Sequence, residues 1–432
     1  MKKILIWLSM VILLIPVTAC SQPAASPEAS PAVAGVIQSD KPRVTSPQVN
    51  ETDLAPLVEG NNTFAFNLYQ ALREEDDNLF YSPYSMSLAL AMTYAGARGE
   101  TEQQMADTLH FTLSQDRLHP AFNSLDIELG KRGEGAEGKD GEGFRLHIAN
   151  AVWGQKGYHF LPTFLDVLAE NYGAGLRTLD FASAPEESRL IINDWVSDQT
   201  EGRIEDLIPQ GLIDIFTRLV LTNAIYFNAA WQYPFSEGAT GDSQFHLLDG
   251  REVTVPMMSQ TESFGYAEGD DYQAVELPYD GGELSMVILL PHAGQFEAFE
   301  ESLNTERVGA IISALDHSQV ALAIPKFEFE SAFKMRETLM AMGMPVAFTG
   351  DADFSGMTGG RELFISEVVH KAFVSVDEAG TEAAAATAVI MKITALPTTP
   401  IEFTANRPFI FLIRDIETGS LLFIGRILNP AT

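Results

Sequence analysis

The stretch Asp377-Glu378-Ala379-Gly380-Thr381-Glu382-Ala383-Ala384-Ala385-Ala386-Thr387-Ala388-Val389 lies between an apolar run, Phe364 to Val376, and a Pro/Thr-rich segment, Pro397 to Pro400. Four consecutive alanines after Thr-Glu favour a short helix on propensity alone. The same residues also fit a period of two. Thr381, Ala383, Ala385 and Thr387 are all small enough to sit beneath a sheet if the segment became a strand. Gly380 would then give the backbone the freedom of a hinge. Composition favours the helix and leaves the strand open.

Working outward, helical spacing comes first along the chain and strand composition later. Apolar residues at helical intervals predict helices over Thr63 to Leu72 (capped by Asn61 or Asn62), Ser85 to Gly96, Thr101 to Leu109, Pro162 to Tyr172 and Glu186 to Thr200. After Arg218 the segments Leu219 to Phe227, Leu284 to Leu290, Val320 to Phe329, Phe364 to Val376 and Phe409 to Ile413 are dense in Val, Ile, Phe and Thr, with Gly or Pro at their borders. Without regular strand-helix alternation, the class is α+β with large, mostly antiparallel sheets.

The chain has 432 residues, 46% of them hydrophobic, which is enough for a sizeable core. With 27 basic residues against 59 acidic ones, the net charge of −32 repels polyanions and argues against nucleic-acid binding. The single cysteine, Cys20, can make no internal disulfide and cannot supply a Cys-rich metal site. The eight histidines are scattered singly, and neither His-Glu-x-x-His nor Gly-x-Ser-x-Gly occurs. Gly133-Glu134-Gly135-Ala136-Glu137-Gly138-Lys139-Asp140 matches phosphate-loop patterns only nominally. Its glutamates would repel phosphate, and Asp140 stands where a magnesium-binding hydroxyl is needed. No constellation supports an enzyme, a cofactor or a metal.

Residues 1–19 join a basic start to an apolar run too short to span a bilayer in the ordinary way, the pattern of a signal peptide. Val17-Thr18-Ala19-Cys20 resembles a bacterial lipoprotein box, which implies lipidation of Cys20 and a secreted body held at the cell envelope. Residues 20–55, rich in Ser, Pro, Ala and Gln, are expected to form a flexible tether. One folded domain is expected over 56–432.

Several motifs in that domain resemble the serpin family of serine-protease inhibitors. The stretch around Gly380 resembles a serpin reactive-centre loop. Asn78-Leu79-Phe80-Tyr81-Ser82-Pro83-Tyr84-Ser85 is similar to the turn into the second helix, and Asn193-Asp194-Trp195-Val196 to the helix that crosses the main sheet. Leu221-Thr222-Asn223-Ala224-Ile225-Tyr226-Phe227 with Trp231 is similar to the central strand, and Phe403-Thr404-Ala405-Asn406-Arg407-Pro408-Phe409 to the segment after the loop. The resemblance covers essentially the whole body. It implies N-terminal helices packed on a large central sheet, with smaller sheets and an exposed loop.

The function implied is suicide inhibition of serine proteases, extending to papain-like cysteine proteases. The protease cuts the loop, is held as an acyl-enzyme, and is carried away as the loop inserts into the main sheet. Glu378, Gly380, Thr381, Glu382, Ala383, Ala384, Ala385, Ala386 and Thr387 follow the hinge pattern of inhibitory members, with Glu382 on the outward phase. Counting seventeen residues from Glu378 by family analogy puts the reactive bond between Thr394 and Ala395, with Lys392 as the alternative. Thr394 suits elastase-like or subtilisin-like targets better than trypsin-like ones. Ser82, Ser85, Asn223 and His370 match the polar cluster where the sheet parts. Trp231, Lys326 and Glu378 match the place where insertion begins, with an ion pair between Lys326 and Glu378. Asp116 to Glu142 holds more acids than bases, which argues against heparin as a cofactor. The expected form is a monomer. The alternative reading is a non-inhibitory member acting as a surface binding protein.

Overall fold

The computed structural model describes residues 34–73, 77–134, 136, 145–381 and 399–431. Helix α1 (Glu51–Leu72) starts twelve residues earlier than its apolar spacing predicts and carries Pro56 inside it. Asn61 and Asn62 are not caps. Asn61 is buried and accepts from Ser87 Oγ at 2.8 Å, while Asn62 bonds the backbone of Gly419 and Leu421. These long-range partners, invisible in local spacing, carry the helix past them. Helix α2 (Pro83–Tyr94) is buried along its whole length, as its Ala, Leu and Met content predicts. Ser82 caps it, accepting from the Ser85 amide at 3.1 Å. Helices α3 (Gly99–Leu109), α4 (Gln115–Leu129), α5 (Pro162–Tyr172) and α6 (Pro185–Gln199) follow.

The strands, in chain order, are β1 (Gly35–Ile37), β2 (Leu79–Tyr81), β3 (Arg145–Gln155), β4 (Leu176–Leu179), β5 (Leu219–Ala230), β6 (Gly241–His246), β7 (Glu252–Glu268) and β8 (Tyr272–Pro278). They continue with β9 (Leu284–Pro291), β10 (Asp316–Pro325), β11 (Phe327–Lys334), β12 (Ile365–Val376), β13 (Gly380–Thr381), β14 (Ile401–Thr404), β15 (Phe409–Asp415) and β16 (Leu421–Ile427). One sheet runs β1-β4-β3-β5-β13-β12-β11. The other runs β14-β10-β7-β8-β9-β15-β16-β2, with β6 paired to β7. Helices and mixed sheets together make the α+β class expected. β3 escapes detection by composition because Arg145, His147 and Asn150 interrupt its apolar pattern; Trp153 on it donates to Thr222 Oγ1 at 2.9 Å.

Two expectations need correction. Val320 to Phe329 is not one strand: the chain divides at Pro325-Lys326, sending β10 into one sheet and β11 into the other. Proline, with no N–H to continue a ladder, marks the change. The C-terminal part of the 20–55 segment is not free chain either. β1 pairs antiparallel with β4, and Lys41 bridges Asp166 and Glu170 at 3.1 and 3.0 Å. Arg43 reaches Asp126 at 2.5 Å and Asn123 at 2.8 Å. Polar and backbone bonds hold this segment, so its low apolar content hid the order.

Candidate functional site

β5 and β12 run parallel and pair from Leu219 to Tyr226 on one side and Ile365 to Phe373 on the other. Beyond that the two strands part, and the chain leaving β12 turns back into the gap. Asp377 builds the turn, its Oδ1 accepting from the amides of Ala379 at 2.8 Å and Gly380 at 3.2 Å. Gly380 then pairs with Ala230, and Thr381 with both Ala229 and Val376. A Cβ on Gly380 would lie 2.1 Å from the Ala229 carbonyl oxygen, so only glycine fits this approach.

Thr381 is 1% exposed, and its hydroxyl is 2.8 Å from that of Tyr279. The Tyr279 ring stacks on Trp231 at 4.7 Å and meets Phe227 edge-on at 5.2 Å. Trp231 also grips the turn, donating from Nε1 to Asp377 O at 3.0 Å and from its amide to Ala379 O at 2.9 Å. The expected ion pair is present: Lys326 Nζ lies 2.6 Å from Glu378 Oε2, and Thr240 donates to Oε1 at 2.7 Å. Burial pushes the Glu378 carboxyl up, but the bonds from Lys326 and Thr240 outweigh it and leave the group below its ordinary range.

Deeper along the seam lies the polar cluster. Ser85 Oγ accepts from Asn223 Nδ2 at 2.6 Å, His370 Nδ1 meets Asn223 Oδ1, and the Ser82 amide donates to His370 Nε2 at 3.3 Å. Because Nε2 accepts, the proton sits on Nδ1. Sequence reasoning missed Asn150, whose Oδ1 accepts from Asn223 and whose Nδ2 donates to Ser85 O at 3.0 Å. It also missed Tyr279 and Thr240. A polar residue central in an unrecognised strand was the available signal for Asn150, and nothing local marked the other two. Glu382, Ala383, Ala384, Ala385, Ala386, Thr387, Lys392, Thr394, Ala395 and Cys20 lie outside the described residues. No group of three or more His, Cys, Asp or Glu among the described residues could hold a metal.

Burial drives the His370 pKa down to about 3, and burial with the nearby Arg98 charge drives that of His119 down to about 4. The unfolded chain takes up these protons near pH 6.5, the folded chain only far lower. Each therefore contributes stability that is complete above pH 6.5 and is lost as the pH falls toward its folded value. By pH 5 the loss at His370 is about 2 kcal/mol. His370→Gln is expected to lose less stability between pH 7.5 and pH 5 than the parent chain in urea unfolding; equal losses would refute this.

The profile described as Serpin (serine protease inhibitor) matches residues 59–430. The chain is 44% identical to an uncharacterized serpin-like protein of Thermococcus kodakarensis, over 87% of this chain and 86% of the other. It is 42% identical to the human leukocyte elastase inhibitor, over 87% and 99% respectively. Among solved structures, the thermophilic serpin tengpin in its native state superposes with a TM-score of 0.81 at 29% identity, covering 92% of this chain and all of that one. The profile match over residues 59–430, the identity to these relatives and the shared two-sheet fold make the chain a member of the serpin family.

Proposed function

We propose that this chain is an irreversible suicide-substrate inhibitor of serine proteases. The observation that carries this reading is the position of Gly380 and Thr381, which already pair with β5 and lie in the gap beside β12. They occupy the first places of a new central strand. Continued at the same register, that strand would set residues 382 to 391 against Asn228 to Leu219 of β5. Thr387 would arrive between Asn223 and His370, which are now bonded to each other. A hydroxyl both gives and accepts, so it can join this cluster without leaving a buried polar group unpaired. Thr381 faces the core, so Ala383, Ala385 and Thr387 share its phase and Glu382 takes the outward one.

In the reaction the protease serine oxygen attacks the carbonyl of Thr394, the amine of Ala395 leaves with a proton, and an ester joins the two proteins. The freed loop then inserts faster than water hydrolyses the ester. Thr394 at the cut favours elastase-like or subtilisin-like targets, and the resemblance to leukocyte elastase inhibitors favours the elastase-like ones. Lipid on Cys20 would hold the body outside the cytoplasm at the cell envelope, with the segment before β1 as tether. The test is to mix the purified protein with a panel of serine proteases and run denaturing gels. A stable higher-mass conjugate is expected. Loop cleavage with full protease activity throughout the panel would overturn inhibition and favour a binding protein.

A further inference from the structure

Away from the hinge and the seam, a cavity of about 410 Å³ opens between helix α7 (Phe296–Glu301), Arg73 just past α1, and the end of β16. Its volume falls in the range of about 300 to 1,000 Å³ that small-molecule sites occupy. Two of its charged residues are bonded into the core. Glu300, 4% exposed, accepts through Oε1 from the Tyr69 hydroxyl at 2.6 Å and from Arg426 Nη1 at 2.9 Å. Arg426 also donates to Arg73 O at 2.8 Å and, from Nη2, to Asp77 O at 2.8 Å. Gln70 fixes the end of α7 from behind, its Nε2 donating to Glu300 O at 2.9 Å and Leu303 O at 3.1 Å.

These bonds leave two groups over, Glu300 Oε2 and the Arg73 guanidinium. They approach to 4.0 Å, from Oε2 to Nη1, which is beyond hydrogen-bond reach. Among the described residues the Arg73 side chain makes no hydrogen bond, and its Nε is buried without a partner. A carboxylate so deeply buried and bonded through one oxygen only is held at a cost, which a ligand supplying the missing donor would relieve.

The charges around the gap select the ligand. A lone amine facing Oε2 would sit beside the like charge of Arg73. A lone carboxylate facing Arg73 would sit beside Glu300, with Glu297 and Glu301 also lining the cavity. A zwitterion meets neither objection. In an α-amino acid the ammonium nitrogen and the carboxyl carbon are roughly 2.5 Å apart across one Cα. Charge-assisted hydrogen bonds of about 2.8 Å on either side therefore span the gap between Oε2 and Nη1. The remaining wall is apolar, formed by Phe296, Leu428 and Leu248, the last 50% exposed on the turn between β6 and β7. A bridging water would serve the charged pair but leave that wall bare.

We propose that this cavity binds a free α-amino acid with an apolar side chain. Its ammonium donates to Glu300 Oε2, its carboxylate accepts from Arg73, and its side chain lies against Phe296, Leu248 and Leu428. None of these residues belongs to the hinge or the seam, so the site stands whether or not the chain inhibits proteases.

The test is titration calorimetry of the full chain with L-leucine, L-phenylalanine and L-methionine, and with the two halves of leucine, isoamylamine and isocaproate. At least one amino acid is expected to bind with a Kd below about 1 mM. Each half of leucine should bind more weakly than leucine by roughly tenfold or more, the size of one charge-assisted hydrogen bond. Arg73→Gln should weaken the amino acid to the same degree and leave isoamylamine level or tighter. Its thermal midpoint without ligand should match the parent, since the Arg73 side chain makes no hydrogen bond among the described residues. The comparison of leucine with its halves needs no variant and reads the site even if that substitution disturbs the fold. No binding by any of the three amino acids would overturn the proposal and leave a water-filled cavity. So would isoamylamine binding as tightly as leucine, or undiminished amino-acid binding by a folded Arg73→Gln chain.

Discussion

Cutting the loop near Thr394 is expected to raise the thermal unfolding midpoint of the chain by about 10 °C or more. In the intact chain Gly380 and Thr381 pair with β5, while the chain on the far side of the reactive bond is held in the second sheet by the pairing of β14 with β10. The seam between β5 and β12 is closed below by a parallel ladder. Severing the loop removes the tie. Residues 382 to 391 can then form antiparallel ladders with both neighbours, and the alternating small side chains from Ala383 to Thr387 find room on the core side. For a domain of this size each kcal/mol of added stability moves the midpoint by about 1 to 2 °C, so the rise corresponds to several kcal/mol. The check is differential scanning calorimetry of the intact chain, the loop-cut chain and a control cut within the glycine-rich segment 133–140. A loop-cut midpoint no higher than that of the intact chain would show that the intact fold already rests at its lowest free energy. The control cut frees no strand for the seam and is expected to leave the midpoint level or lower.

Some of this was legible in the sequence because it depends on local properties. Small residues at alternate positions around Gly380 are a constraint on what can pass beneath a sheet, and they read directly from the chain. The buried helix α2 and the central strand β5 announced themselves through composition in the same way. Ser82, Ser85, Asn223 and His370 were named only through family resemblance, since nothing in their spacing says that four residues spread over nearly three hundred positions meet. Asn150 and Tyr279 belong to the same site and stayed hidden, because their roles come from strand pairing and ring stacking between distant segments. The division of Val320 to Phe329 between two sheets had a local cue in Pro325, but which sheet receives each half is set by pairing partners. Residues 35 to 44 misled for a different reason: Lys41 and Arg43 dock by charge and hydrogen bonding, and a reading based on apolar content does not see that. The register that carries the functional argument, Thr381 against Ala229, is also a long-range fact.

Thr381→Arg is expected to turn the inhibitor into a substrate while leaving the fold intact. The Thr381 side chain is enclosed, with its hydroxyl on Tyr279 and the Trp231 ring stacked behind. A guanidinium there would lose its water in a space that offers one neutral hydroxyl, at a cost of roughly several kcal/mol. The intact chain escapes that cost by withdrawing two residues of hinge from the gap, which gives up few contacts. The cut chain has no such escape, since the strand must enter through this position before any later residue can follow. Every ~1.4 kcal/mol added to the barrier slows insertion tenfold, while hydrolysis of the ester, governed by the protease, keeps its rate. Inhibitor consumed per protease inactivated should therefore rise at least tenfold, with cleaved chain accumulating on gels in place of conjugate. Thr381→Ser keeps the hydroxyl and the size, and should inhibit like the parent. If the arginine variant traps protease as efficiently as the parent, entry at Thr381 is not on the path, and the hinge seen between β5 and β12 has no part in capture.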